Sequence, residues 1–146
     1  MESKNLIAIS ETIINAPVEE VWEALVSPAE IKKYMFNTTV VSDWKRGSKI
    51  VWKGDWKGKP YEDKGEILEI HPKKRLQYSH FSPLGGQIDA PENYHIVTID
   101  LEEDKNKTKI SLSQDKNPTE EAKMESEKNW TMMLSGLKTL LEERHP

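Results

Sequence analysis

Residues 117–143 read NPTEEAKMESEKNWTMMLSGLKTLLEE. Trp130, Met133, Leu134, Leu137 and Leu141 recur at the 3.6-residue period of an α-helix and so share one apolar face. Asn117-Pro118-Thr119-Glu120 supplies a cap, a proline and an acid in the order that opens a helix. The spacing predicts one long helix over 117–143, about 40 Å in length. A single helix cannot bury its own apolar stripe. It needs a sheet to lie across, and a sheet curved around a helix can leave a pocket between them.

The rest of the chain supplies that sheet. Residues 6–14 are rich in β-branched side chains and read as a strand. Asn15-Ala16-Pro17 breaks it, and Pro17 suits the first turn of a helix. Val18, Val21, Trp22 and Leu25 then fall at i, i+3, i+4 and i+7, the mark of an amphipathic helix. Ser27-Pro28-Ala29-Glu30 opens a second short helix, with Ile31, Tyr34 and Met35 on one side. Strands are expected over 37–43, 48–54, 61–71, 75–81, 94–103 and 107–114. Turn chemistry lies between them at Arg46-Gly47, Lys57-Gly58-Lys59-Pro60, His71-Pro72-Lys73-Lys74 and Asp104-Lys105-Asn106-Lys107. Residues 82–92 form the longest irregular segment, a length often used for lids. No repeat, low-complexity tract or linker interrupts the pattern, so 1–146 is expected to be a single α+β domain.

Composition narrows the function classes. The 146 residues hold 21 basic and 25 acidic side chains, a net charge of −4, which argues against non-specific nucleic-acid binding. The absence of cysteine removes disulfides, thiol catalysis and thiolate metal sites. No secretory leader and no run long enough to span a membrane is visible, so a cytoplasmic protein without membrane attachment is expected.

Strand parity separates the two faces of the sheet. Ile50, Trp52 and Trp56 share a side, as do Leu76, Tyr78 and His80. His95, Val97, Ile99 and Leu101 share one, and so do Thr108, Ile110, Leu112 and Gln114. These sides are apolar, with polar atoms at one end from His80, His95, Gln114 and the Trp52 indole. Apolar walls with a few polar groups are the usual form of a small-molecule site. The candidate ligand-binding set is therefore Trp22, Tyr34, Ile50, Trp52, Trp56, Tyr78, His80, His95, Val97, Ile99, Leu112, Gln114, Trp130, Met133, Leu134 and Leu137. The wider aromatic set, including Trp44, Tyr61 and Tyr94, suits a hydrophobic or aromatic ligand.

Reaction chemistry is harder to find. Gly-x-Ser-x-Gly and the phosphate-binding glycine patterns are absent, and Gly85-Gly86 precedes no helix start. No metal-ligand motif with tight spacing and no cofactor motif is present. His80 and His95 could act as acid, base or ligand anchor, or be rim imidazoles bonded to backbone. His71 and His145 are expected to be solvated. Asp43, Asp55, Glu62 and Asp63 could pair for acid/base work, or balance Lys45, Lys53 and Lys64. Lys45, Arg46, Lys49, Lys53, Lys57 and Lys59 face one acid, Asp55, over 45–59. That strip is either a solvated sheet face or a dock for an acidic partner.

Two segments carry a family resemblance. Asn15-Ala16-Pro17-Val18-Glu19-Glu20-Val21-Trp22-Glu23-Ala24-Leu25 resembles the "APxEEVWxAL" start of the START-like (helix-grip, SRPBCC) superfamily. Gly65-Glu66-Ile67-Leu68-Glu69-Ile70-His71-Pro72-Lys73-Lys74-Arg75-Leu76-Gln77-Tyr78 resembles its "GxVLEIdPPxRLxY" strand–turn–strand. With Trp130 in the last helix, the likeness spans nearly the whole chain. It is greatest to the branch named for the activator of the heat-shock protein 90 ATPase. The resemblance implies a seven-stranded antiparallel sheet gripping the C-terminal helix, with a cavity between. For function it implies a carrier or receptor of a small apolar molecule, a chaperone-associated module of the stress response, or a cyclase- or hydrolase-like enzyme using cavity histidines.

Overall fold

The computed structural model describes residues 6–56, 58–83 and 87–145, Trp56 by its backbone only. Strand β1 (Leu6–Ile14) leads into helices α1 (Val18–Val26) and α2 (Pro28–Tyr34). Strands β2 (Thr39–Ser42), β3 (Lys49–Trp56), β4 (Lys59–His71), β5 (Arg75–His80), β6 (His95–Asp104) and β7 (Lys107–Asn117) follow, and α3 (Glu120–Glu142) ends the fold. The seven strands form one antiparallel sheet in the order β1-β7-β6-β5-β4-β3-β2. Neighbours in sequence from β2 to β7 are neighbours in space. The strands β1 and β2 are the exception, since they lie at opposite edges. The chain between them must cross one face, and α1 and α2 are the crossing. This is the α+β helix-grip arrangement.

Helix α3 grips with its second half only. No side chain from Glu120 to Met132 is buried, whereas Met133, Leu134, Leu137 and Leu141 are. The predicted stripe is therefore correct for those four, and Trp130 is half-buried beside them. Its start is not as the sequence suggested. Thr119 is the cap, its hydroxyl accepting from the Ala122 amide at 3.0 Å. Asn117 instead closes β7, buried, its amide nitrogen donating to the Leu6 and Gln114 carbonyls at 2.9 and 3.0 Å. Those two carbonyls hold it in the sheet more firmly than a helix cap would. At 23 residues the helix runs about 35 Å. Two further local readings shift in the same way. Pro17 precedes α1 as its cap, and Lys59-Pro60 lies in β4 because the β3–β4 turn is shorter, with Trp56 paired to Lys59.

The free edge of β1 is covered by side chains of α3. The Ile9 amide donates to Glu127 Oε2 at 3.0 Å and the Asn15 amide to Glu142 Oε2 at 2.8 Å. Lys138 Nζ donates to the Ile13 carbonyl at 2.7 Å. An unpaired strand edge invites pairing with another chain, and these three charged groups occupy it. The Ile9 amide and Lys123 hold the Glu127 carboxyl below its ordinary range. Lys138 and the Asn15 amide do the same for Glu142.

A second ionic contact ties the end of α3 to α2. Arg144 donates two bonds to Glu30, at 2.7 and 3.1 Å, and Lys33 adds a third at 3.0 Å. Chiefly because of Arg144, the Glu30 pKa falls from 4.5 to about 2. A depressed carboxylate stabilises the fold fully above its unfolded pKa and loses that contribution as pH falls through the folded one. Replacing Arg144 by Ala should therefore destabilise the fold at pH 7, by an amount held down by the solvent exposure of both cations. In urea titrations the gap between parent and variant should close as pH drops from 4.5 toward 2. A gap that is constant with pH would show that packing, not charge, is lost.

Candidate functional site

The inner face of the sheet, α1, α2 and the second half of α3 enclose an apolar interior. Within it lies a void of about 30 Å³, lined by Leu25, Ile31, Tyr34, Met35, Val40, Trp44, Ile50, Trp52, Leu76, Tyr78, Ile99 and Met133. This is room for about one water and far below the several hundred Å³ of an open ligand site. The expected cavity is thus walled by the expected kinds of residue but nearly closed. Two flexible methionines and Trp44 contribute to the filling.

The candidate residues separate into four groups. Tyr34, Ile50, Trp52, Tyr78, Ile99 and Met133 line the void. Val97, Leu112, Leu134 and Leu137 are buried in the surrounding core without reaching it. Trp22 and Trp130 are half-buried at the core margin. His80, His95 and Gln114 sit at one polar end. The Trp56 side chain lies outside the described residues, as do Gly85 and Gly86. Sequence reasoning omitted Leu25, Ile31, Met35, Val40, Trp44 and Leu76 from the candidate set, though all six line the void. Val40 was legible from parity, since its partner across the ladder is Trp52. Trp44 was not, because it turns inward from a loop at φ 55°.

One member of the wider aromatic set lies on the outer face. Tyr94 precedes His95 and so points to the outer side of the sheet, where it stacks on Phe81 at 5.1 Å. Phe81 is only 3% exposed although it lies on that outer side. Tyr94 donates to Asp89 Oδ1 at 2.6 Å, and Asp89 also pairs with Lys64. Residues 87–94 thereby form one wall of an outer groove of about 690 Å³, floored by Val51, Leu68 and Ile96. Its rim alternates Lys49 and Lys64 with Glu62, Glu66 and Asp89. The basic strip is balanced here too, with Lys53 facing Glu62 at 3.8 Å.

Inside, the aromatic groups are ordered around Trp52. Its ring lies 5.1 Å from Tyr78 and 4.9 Å, edge-on, from His80. The Tyr34 hydroxyl donates to the Ala24 carbonyl at 2.6 Å. The Tyr78 hydroxyl makes no hydrogen bond among the described residues. Burial pushes the pKa of both hydroxyls up, so both remain protonated donors.

The polar end begins at His80. Its Nε2 lies 2.9 Å from Asp63 Oδ2. A carboxylate only accepts, so Nε2 carries the proton and Nδ1 is left as the acceptor of the neutral ring. His95 stands opposite His80 in the ladder. Its Nδ1 donates to the Asp115 carbonyl at 2.8 Å, which leaves Nε2 free. Trp130 Nε1 donates to Gln114 Oε1 at 2.7 Å and joins the helix to this end of the sheet. Of the suspected carboxylates, Asp63 alone meets a histidine. The other two imidazoles are peripheral: His71 lies 3.3 Å from Glu69, and His145 pairs with Glu20. Among the described residues no group of three His, Asp or Glu is placed to hold a metal, and no helix is long and apolar enough to cross a membrane.

Comparison with known proteins places this geometry. Residues 15–142 match the family described as activator of Hsp90 ATPase homolog 1-like protein. A protein from Cytophaga hutchinsonii, known from a solution structure, is 61% identical over 99% of this chain and 98% of its own, with a TM-score of 0.86. The Aha1 dimer from Colwellia psychrerythraea shares 20% identity over 94% and 96% of the two chains, with a TM-score of 0.73. CalU16 from Micromonospora echinospora is 20% identical over 97% of this chain and 87% of its own, with a TM-score of 0.72. At that identity the last two share the fold. No curated protein matches the sequence.

Proposed function

The chain belongs to the family of activator of Hsp90 ATPase homolog 1-like proteins, and from that premise we propose that it is a binding protein for a small apolar or aromatic molecule. The whole chain acts as one helix-grip unit, without catalysis, in the cytoplasm. The observation that carries this reading is the aromatic interior: Tyr34, Trp44, Trp52 and Tyr78 converge on one void beside a polar end. A void of about 30 Å³ must widen to admit a ligand. Met35 and Met133 line it, and unbranched thioethers repack at small cost. Widening is also favoured by the unburied first half of α3, which holds the sheet through few apolar contacts.

The test is a library of hydrophobic and aromatic compounds read by tryptophan fluorescence and thermal shift. Trp52 and Trp44 wall the void, so a bound aromatic should quench emission and raise the melting temperature together. A library in which nothing binds tighter than about 1 mM, equivalent to about 4 kcal/mol, would defeat the reading.

A second reading, a chaperone-associated module, is supported by the family itself and by the fold shared with the Colwellia Aha1 protein. The acids facing Lys49 and Lys53 weaken the basic strip as its docking surface. ATP turnover by the organism's own heat-shock protein 90, measured with and without this chain, separates the two readings.

A further inference from the structure

Gly65 and His80 face one another across the β4–β5 ladder, two residues beyond the paired Ile67 and Tyr78. Gly65 has no side chain, so the His80 ring reaches past it to Asp63. Asp63 in turn lies opposite Trp52, whose ring meets His80 edge-on. The result is an aspartate–histidine pair beside Trp52, behind one of the side chains that line the void.

One atom of this pair is unsatisfied. Asp63 Oδ2 accepts from His80, but Asp63 Oδ1 is buried and has no donor among the described residues. The aspartate side chain is only 15% exposed. A buried carboxylate oxygen without a donor is destabilising, and such atoms concentrate where a ligand or a reaction supplies the missing partner. His80 Nδ1 and His95 Nε2 are likewise acceptors in the neutral rings. This end of the interior therefore presents acceptors, with the Gln114 amide nitrogen as the nearby donor.

Resting on the binding function proposed above, we infer that Asp63 and His80 anchor the ligand through a neutral hydroxyl donor, and that the ligand is a phenol-type aromatic. The flat body lies against Trp52 and Tyr78, and its hydroxyl donates to Asp63 Oδ1. A protonated amine is the other donor this carboxylate could take. It is disfavoured because its charge would be stripped of water among aromatic walls. A phenol brings the donor without the charge.

The probes are 2-naphthol and 2-methoxynaphthalene, which differ in that hydroxyl. The ether is the more apolar, so contact area alone favours it. The parent should nevertheless bind 2-naphthol about tenfold to a hundredfold tighter, the range expected for one net hydrogen bond to a charged acceptor. In Asp63→Val the ratio should fall to about one, with the affinity for the ether retained. Asp63→Ala serves if the valine variant does not fold. In the parent, 2-naphthol should shift the His80 imidazole NMR signals further than the ether does, since both rings lie beside His80 but only the hydroxyl reaches its carboxylate partner. Equal binding of both probes by the parent, or a hydroxyl preference that survives loss of the carboxylate, overturns the anchor and leaves the binding function standing. A parent that binds neither, in the absence of any other library hit, removes both.

Discussion

Gly65→Ala is expected to destabilise the protein by about 3 kcal/mol or more, the largest effect of a Gly→Ala change at any of the described glycines. A Cβ at Gly65 would stand 1.7 Å from the Ser79 carbonyl oxygen and 2.6 Å from its carbon. Both are backbone atoms, so no rotamer change relieves the overlap. Relief needs β4 and β5 to separate, and the Lys64–Phe81 bridge lies immediately beside them, with bonds of 3.0 and 2.8 Å. Gly58 supplies the control. It has a positive φ of 82° and nothing within 4 Å of an added Cβ. Its substitution by Ala should cost only about 1 kcal/mol, the strain of a left-handed alanine. Urea unfolding of both variants decides the matter. If Gly65→Ala is as stable as Gly58→Ala, the two strands have slack there. The His80–Asp63 contact would then owe nothing to the missing side chain.

That contact also marks where the sequence stops being informative. Parity along each strand is a local property, so it assigned Ile50, Trp52, Tyr78 and Ile99 to the interior correctly. The helical period did the same for Leu134 and Leu137. The motif around Asn15–Leu25 and the one around Gly65–Tyr78 identified the family, and the seven-stranded grip followed from it. Register between strands is a different matter. Whether Asp63 meets His80 depends on the β4–β5 pairing and its irregularity between Ile67 and Glu69. Four acids near loops looked alike until that pairing distinguished one. Trp44 enters the interior from a left-handed loop residue, a conformation that composition does not announce. Tyr94 stacks on Phe81 and helps bury it on the outer face, which alternation alone would assign to solvent. Asn117 carried a good cap signature, but Thr119 won because two backbone carbonyls claimed the asparagine.

Leu137→Ala should cost about 3–5 kcal/mol, whereas Trp130→Ala, though it removes more atoms, should cost only about 1–2 kcal/mol. Leu137 is 0% exposed and sits between Met133, Leu134 and Leu141 in the buried half of α3. Its removal leaves a cavity in the half of the helix that is packed into the core. Trp130 stands one turn earlier, half-buried, with a single bond to Gln114. Its loss exposes the polar end more than it hollows the core. The two variants should therefore separate in kind as well as size. Leu137→Ala lowers the urea midpoint sharply. Trp130→Ala lowers it slightly and changes access to the interior, so that 2-naphthol should bind and leave faster in stopped-flow fluorescence. Equal midpoint losses at the two positions would mean that α3 is gripped along its whole length. The first half of the helix would then be a fixed wall, and a ligand would have to enter the interior from elsewhere.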